Sequence, residues 1–143
     1  MKFIGESPAL SDNEELDQSN FAWVAERAAC TLPTVYATLR ADVATDVQAR
    51  NAVRPENAAY QFLIEDKVKQ FSVVLQAKDF SRSVTFQLED HAILVLDHSG
   101  NQMFEVTLNF NDMGKCRMKA KEENREPWQV RRMALEDLLF RLV

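Results

Sequence analysis

The chain has 143 residues, of which 46% are hydrophobic and 27% charged, with a formal net charge of −5. Folding at that length buries roughly two-thirds of the unfolded surface, and this composition lies far from the apolar-poor signature of disorder, so a single soluble α+β domain over residues 1–143 is expected. No apolar run approaches the ~20 residues that cross a bilayer, the longest being Ala92-Ile93-Leu94-Val95-Leu96, and Glu6, Pro8 and Asp12 interrupt the apolar stretch a secretory signal needs, so no membrane association is expected.

Residues 1–12 read as a loosely ordered arm, punctuated by Gly5, Ser7, Pro8 and Ser11. Over 14–30 the spacing of Leu16, Phe21, Val24, Ala25, Ala28 and Ala29 predicts a first helix. Thr31 is a natural N-cap and Pro33 is tolerated in a first turn, so a new helix or a kink follows. Val35, Leu39, Val43 and Val47 then step by four and mark one core face, with Arg40, Asp42, Asp46, Gln48 and Arg50 elsewhere on the circumference. Pro55 ends that helix by Arg54, and 51–57 is the one stretch that resembles a linker.

From residue 58 to 121 the period falls to two and β-branched and aromatic residues dominate, which predicts five or six strands. Tyr60/Phe62/Ile64, Phe71/Val73/Leu75 and Val84/Phe86/Leu88 each alternate with polar partners. The segment 92–96 is apolar on both sides, as a central or doubly covered strand would be. Turn chemistry at His98-Ser99-Gly100-Asn101 leads into Phe104/Val106/Leu108/Phe110, and Asn111-Asp112-Met113-Gly114 leads into a last strand. Connections this short require antiparallel neighbours, so the sheet is a meander. Pro127 opens a closing helix to about Arg141 that packs on one sheet face, with Trp128, Leu135, Leu138, Leu139 and Leu142 as its core stripe and Val130, Met133, Ala134 and Phe140 as an additional apolar arc.

The candidate chemistry is sparse. His91 and His98 flank one strand ~23 Å apart along an extended chain, too far for a shared metal, and no metal site is expected. Gly5, Gly100 and Gly114 are the only glycines, which precludes the usual glycine-rich phosphate loops, and no cofactor is expected. Cys30 and Cys116 share no ligand spacing and read as two free thiols of a reducing compartment, hence a cytoplasmic protein.

Lys115, Arg117, Lys119 and Lys121 alternate along what reads as an edge strand, and are the candidate anion-binding strip. A weak nucleic-acid interaction there is an alternative, opposed by the net acidity and by the absence of an exposed aromatic platform. Edge-blocking lysines are the structural alternative.

No catalytic residue is assigned. An enzyme assembled from separate strands, with His91, Glu105 and Arg117 converging, is a second alternative. The reading preferred from sequence is a non-catalytic module that holds an apolar small molecule or a protein partner, including a second copy of itself, at the closing helix through Trp128, Met133 and Phe140.

Overall fold

A computed structural model of the protein describes residues 20–143. The arm at 1–12, and the part of the first helix expected before residue 20, lie outside the described residues. Helix α1 spans Trp23–Ala29 and α2 spans Leu32–Ala52. Seven strands follow: β1 Tyr60–Lys67, β2 Gln70–Ala77, β3 Ser81–Leu88, β4 Ile93–Leu96, β5 Gln102–Phe110, β6 Cys116–Ala120 and β7 Glu123–Arg125. The chain closes with α3, Pro127–Glu136, which runs into a π-helical turn at Asp137–Arg141.

The architecture is α+β, and every neighbouring strand pair is antiparallel in the order β1-β2-β3-β4-β5-β6-β7. The strand count corrects the expected five or six. β7 escapes pattern reading because it has only three residues, none apolar, and because its hairpin turns on Lys121 and Glu122 at φ 52° and 67° rather than on glycine or asparagine. Its presence also makes β6 an internal strand, so the edge reading of the basic strip does not hold.

One sheet face carries the core. Phe71, Phe86, Val95 and Phe104 lie in register across β2 to β5, with the Phe71 and Phe86 rings stacked 4.7 Å apart. Each such buried side chain contributes roughly 1.5–3 kcal/mol. Apolar 92–96 lands on the central strand, as its two-sided apolarity anticipated. The opposite face is mainly Gln, Ser, Thr, Asn and charged residues, with a Ser72–Thr85 hydrogen bond linking β2 to β3.

α2 begins as the sequence directs: the Thr34 N–H donates to Thr31 Oγ1 at 3.3 Å, and Pro33 sits in the first turn. Leu39, Val43 and Val47 are buried against the sheet, and the stripe ends on Arg50, also buried. That placement corrects the assignment of Arg50 to the polar circumference.

The segment read as a linker is structural as well. Asn51, inside α2, donates its Nδ2 to the Phe62 carbonyl at 2.9 Å and accepts the Phe62 N–H at 3.0 Å, and Arg54 Nη1 donates to the Tyr60 carbonyl at 2.6 Å. These bonds occupy part of the free edge of β1, which would otherwise present an unpaired ladder.

α1 departs from expectation in that it buries no residue, and Val24 is exposed. The two-thiol reading is also corrected. Cys30 and Cys116 form a disulfide, with Cα atoms 5.6 Å apart. Cys30 caps α1 just before the turn into α2, and that turn meets the start of β6; a separation of 86 residues hides the proximity from local pattern. No helix of the described residues is long and apolar enough to cross a membrane.

Candidate functional site

The closing helix buries Val130, Ala134, Leu135, Leu138 and Leu139. Leu135, Leu138 and Leu139 are buried as read from the sequence, while Val130 and Ala134 take the places assigned to Trp128 and Leu142, because an arc this apolar admits more than one 3.6-residue stripe. Trp128 and Leu142, assigned to the core, are 53% and 46% exposed, and Phe140 is 57% exposed.

Trp128 and Phe140 come together with the end of α2 around a groove of about 370 Å³. Asp46, Ala49 and Arg50 line it from α2 and Val53 from its C-cap, with Trp128, Arg131, Arg132, Leu135, Glu136, Leu139 and Phe140 from α3 and its π turn. The spacing within each set is i, i+3, i+4, i+7, so each helix gives one continuous face to the groove.

Arg50 is the unusual member. Only 9% exposed, it donates from Nε to the Leu139 carbonyl at 2.7 Å and from Nη2 to Tyr60 Oη at 3.3 Å. The first bond satisfies one of the terminal carbonyls that a helix leaves without an internal partner. The Tyr60, Phe62 and Phe140 rings surround the guanidinium, with centroids 5.7, 5.2 and 4.9 Å from Cζ. Among the described residues no carboxylate lies within salt-bridge distance of it.

The other charges of the groove are matched internally. Arg131 bridges Asp46 at 2.6 Å and Asp42 at 3.6 Å, and Arg132 bridges Glu136 at 2.8 Å. The Arg132 guanidinium holds the Glu136 carboxyl below its ordinary value. Arg50 is therefore the groove cation that has no carboxylate partner among the described residues, its charge being met by a carbonyl, a phenol and ring faces.

Comparisons with family models, curated proteins and solved structures find no match.

Met133, named with Trp128 and Phe140 from sequence, packs instead against the core and does not line the groove. The basic strip is divided. Arg117 pairs with Glu126 at 3.3 Å, and Lys115 Nζ stands over the Phe21 ring at 5.6 Å. Lys119 and Lys121 share a shallow concavity with Glu105 and Glu122. Of the four, Arg117 alone has a carboxylate within salt-bridge distance among the described residues.

The His91, Glu105 and Arg117 set does not converge. His91 is exposed in the turn before β4, and Arg117 pairs in register with Asn109, four residues and so ~13 Å along β5 from Glu105. His98 Nδ1 lies 3.3 Å from Ser83 Oγ at the surface. Among the described residues no group of three or more His, Cys, Asp or Glu side chains could hold a metal ion.

Sequence reasoning missed Arg50, although a signal existed. It stands three residues after Val47 and seven after Val43, in phase with the core stripe of α2.

Proposed function

We propose that the protein is a non-catalytic binding module whose groove between α2 and α3 receives an amphipathic helix of a partner protein, with a carboxylate of that helix placed on Arg50. The observation that carries this reading is the buried Arg50 guanidinium, without a carboxylate of its own, in the wall of an apolar groove flanked by exposed Trp128 and Phe140. Two helices that present i, i+3, i+4, i+7 faces to a shared furrow offer what a third helix packs against. Tryptophan and arginine are the residue types that dominate binding energy at such surfaces. The charge of the groove selects an acidic partner, since Arg131 and Arg132 are already matched and Arg50 is not.

The test uses two synthetic amphipathic helical peptides of about four turns, identical except for Glu or Lys at one position on the apolar face. Binding is read from Trp128 fluorescence in a Trp23→Phe background. The Glu peptide should saturate the signal and bind at least about tenfold more tightly than the Lys peptide, a difference of ~1.4 kcal/mol. Trp128→Ala and Phe140→Ala, both at exposed positions, should abolish binding while leaving far-UV circular dichroism unchanged. Equal affinity for both peptides, or an unperturbed Trp128, overturns the reading. So does a concentration-dependent dimer that Trp128→Ala dissociates, which would assign the groove to a second copy of the chain.

A further inference from the structure

We propose that the Cys30–Cys116 disulfide is a thiol–disulfide exchange site whose reduction releases α1 from the sheet and opens the cavity that α1 walls. The disulfide is the covalent part of a small anchorage. Besides it, the ties of α1 and Phe21 to the sheet among the described residues include the following. Glu26 Oε2 accepts the Cys116 N–H at 2.7 Å, the Arg27 guanidinium stands 4.8 Å over the Phe110 ring, and Phe21 lies against Gly114 and under Lys115.

None of these resembles core packing. α1 buries no residue, Trp23 and Val24 are 66% and 61% exposed, and among the described residues the apolar cluster of the fold draws on none before Leu32. A seven-residue helix has little stability alone, so its order depends on its attachment.

The bond is placed where a reductant can reach it. Cys30 and Cys116 are both half-buried, and both line a cavity of about 280 Å³. Its walls are Glu26, Ala29 and Cys30 on one side, Thr34, Val35, Thr38, Leu39 and Asp42 of α2 on another, and Cys116 to Met118 with Arg125 and Pro127 on the third. Losing the α1 wall uncovers Val35, Leu39 and Met118 together.

The exchange balances with a dithiol as co-reactant. A thiolate of the dithiol attacks one sulfur, the Cys30–Cys116 bond breaks, and the other cysteine leaves as a thiolate that takes up a proton. The second thiolate of the reductant then attacks the mixed disulfide and expels the first cysteine. Two electrons pass to the protein, which ends with two thiols, and the reductant ends as a disulfide.

The experiment compares the full chain with and without dithiothreitol by hydrogen exchange and by trypsin cleavage after Arg27. Reduction should raise exchange within α1 and cleavage at Arg27 at least tenfold, while far-UV circular dichroism shows the sheet still folded. Cys30→Ser should reproduce the reduced behaviour without reductant, and Cys30→Ser/Cys116→Ser should not respond to dithiothreitol. Three results overturn the proposal: an air-oxidised protein whose intact mass shows no loss of two hydrogens, α1 exchange that is the same in both states, or a sheet that unfolds on reduction by far-UV circular dichroism, which would make the bond a requirement of the whole fold.

Discussion

At the scale of single residues, the Arg40–Asp66 pair joins α2 to the end of β1 through two hydrogen bonds of 2.8 Å. The hydrogen bond from Arg40 holds the Asp66 carboxyl below its ordinary value. A carboxyl lowered on folding stabilises the protein above its unfolded pKa, and the contribution disappears as pH falls through the lowered folded value. Asp66 is 59% exposed, so solvent screening limits the pair to at most about 1 kcal/mol. Asp66→Asn should therefore cost that much or less near neutral pH, and the difference from wild type in urea melts should shrink as pH falls below the ordinary carboxylate range.

The β6–β7 turn is the second test at this scale. Lys121 and Glu122 both occupy the left-handed region, which costs a residue with a Cβ roughly 1–2 kcal/mol. Replacing the pair by Asn-Gly should raise stability by about 1 kcal/mol, measurable as a shift in denaturant midpoint without a change in slope. An unchanged or lowered midpoint would mean that the side chains contribute more than the backbone loses.

Elements were legible in the sequence where their period was long and their boundaries carried capping or turn residues. α2 shows this, with Thr31, Pro33 and its four-residue steps, as do β1 to β5. The Asp97–Asn101 turn has both the Asp97 carboxylate receiving the Ser99 and Asn101 N–H groups and Gly100 at φ 86°. The failures share a cause. β7 has no apolar face, α1 has no buried face, and the core stripe of α3 was chosen among several in an arc too apolar to show one phase. Trp128 and Phe140 were legible as a candidate surface because they exceed what one core stripe needs. Arg50 was not, because a charged residue is read as exposed unless its helical phase is checked.

Asn51 gives a prediction for the element it protects. Asn51→Ala removes two hydrogen bonds from the Phe62 backbone at the edge of β1, a loss of about 1–3 kcal/mol. It should also raise concentration-dependent light scattering, since a pairing site on the edge becomes free. Asn51→Asp keeps the acceptor for the Phe62 N–H but leaves the Phe62 carbonyl unpaired, and should fall between alanine and wild type.

At the scale of the molecule, the described residues form one sheet with their helices on one side, and that covered side must place every cation that enters it. Arg131 and Arg125 do so with carboxylates, and among the described residues no buried side-chain nitrogen or oxygen lacks a hydrogen bond. The disulfide adds to this fold through the unfolded chain, where an 86-residue separation corresponds to about 4–5 kcal/mol in the chain-entropy model. Reduction should lower the melting temperature by roughly 10 °C or more for a chain of this size, and the Cys30→Ser/Cys116→Ser protein should melt at the reduced value regardless of reductant.

The same bond changes the topology that any unfolding machine encounters. Oxidised, everything from Cys30 to Cys116, which includes α2 and the first five strands, is a closed covalent loop. An enzyme that threads polypeptides through a narrow pore draws a single strand only as far as a cysteine, and past that point it must admit two strands abreast. Dithiol chemistry at one surface position thus decides whether the protein can be pulled through as a line or only as a hairpin.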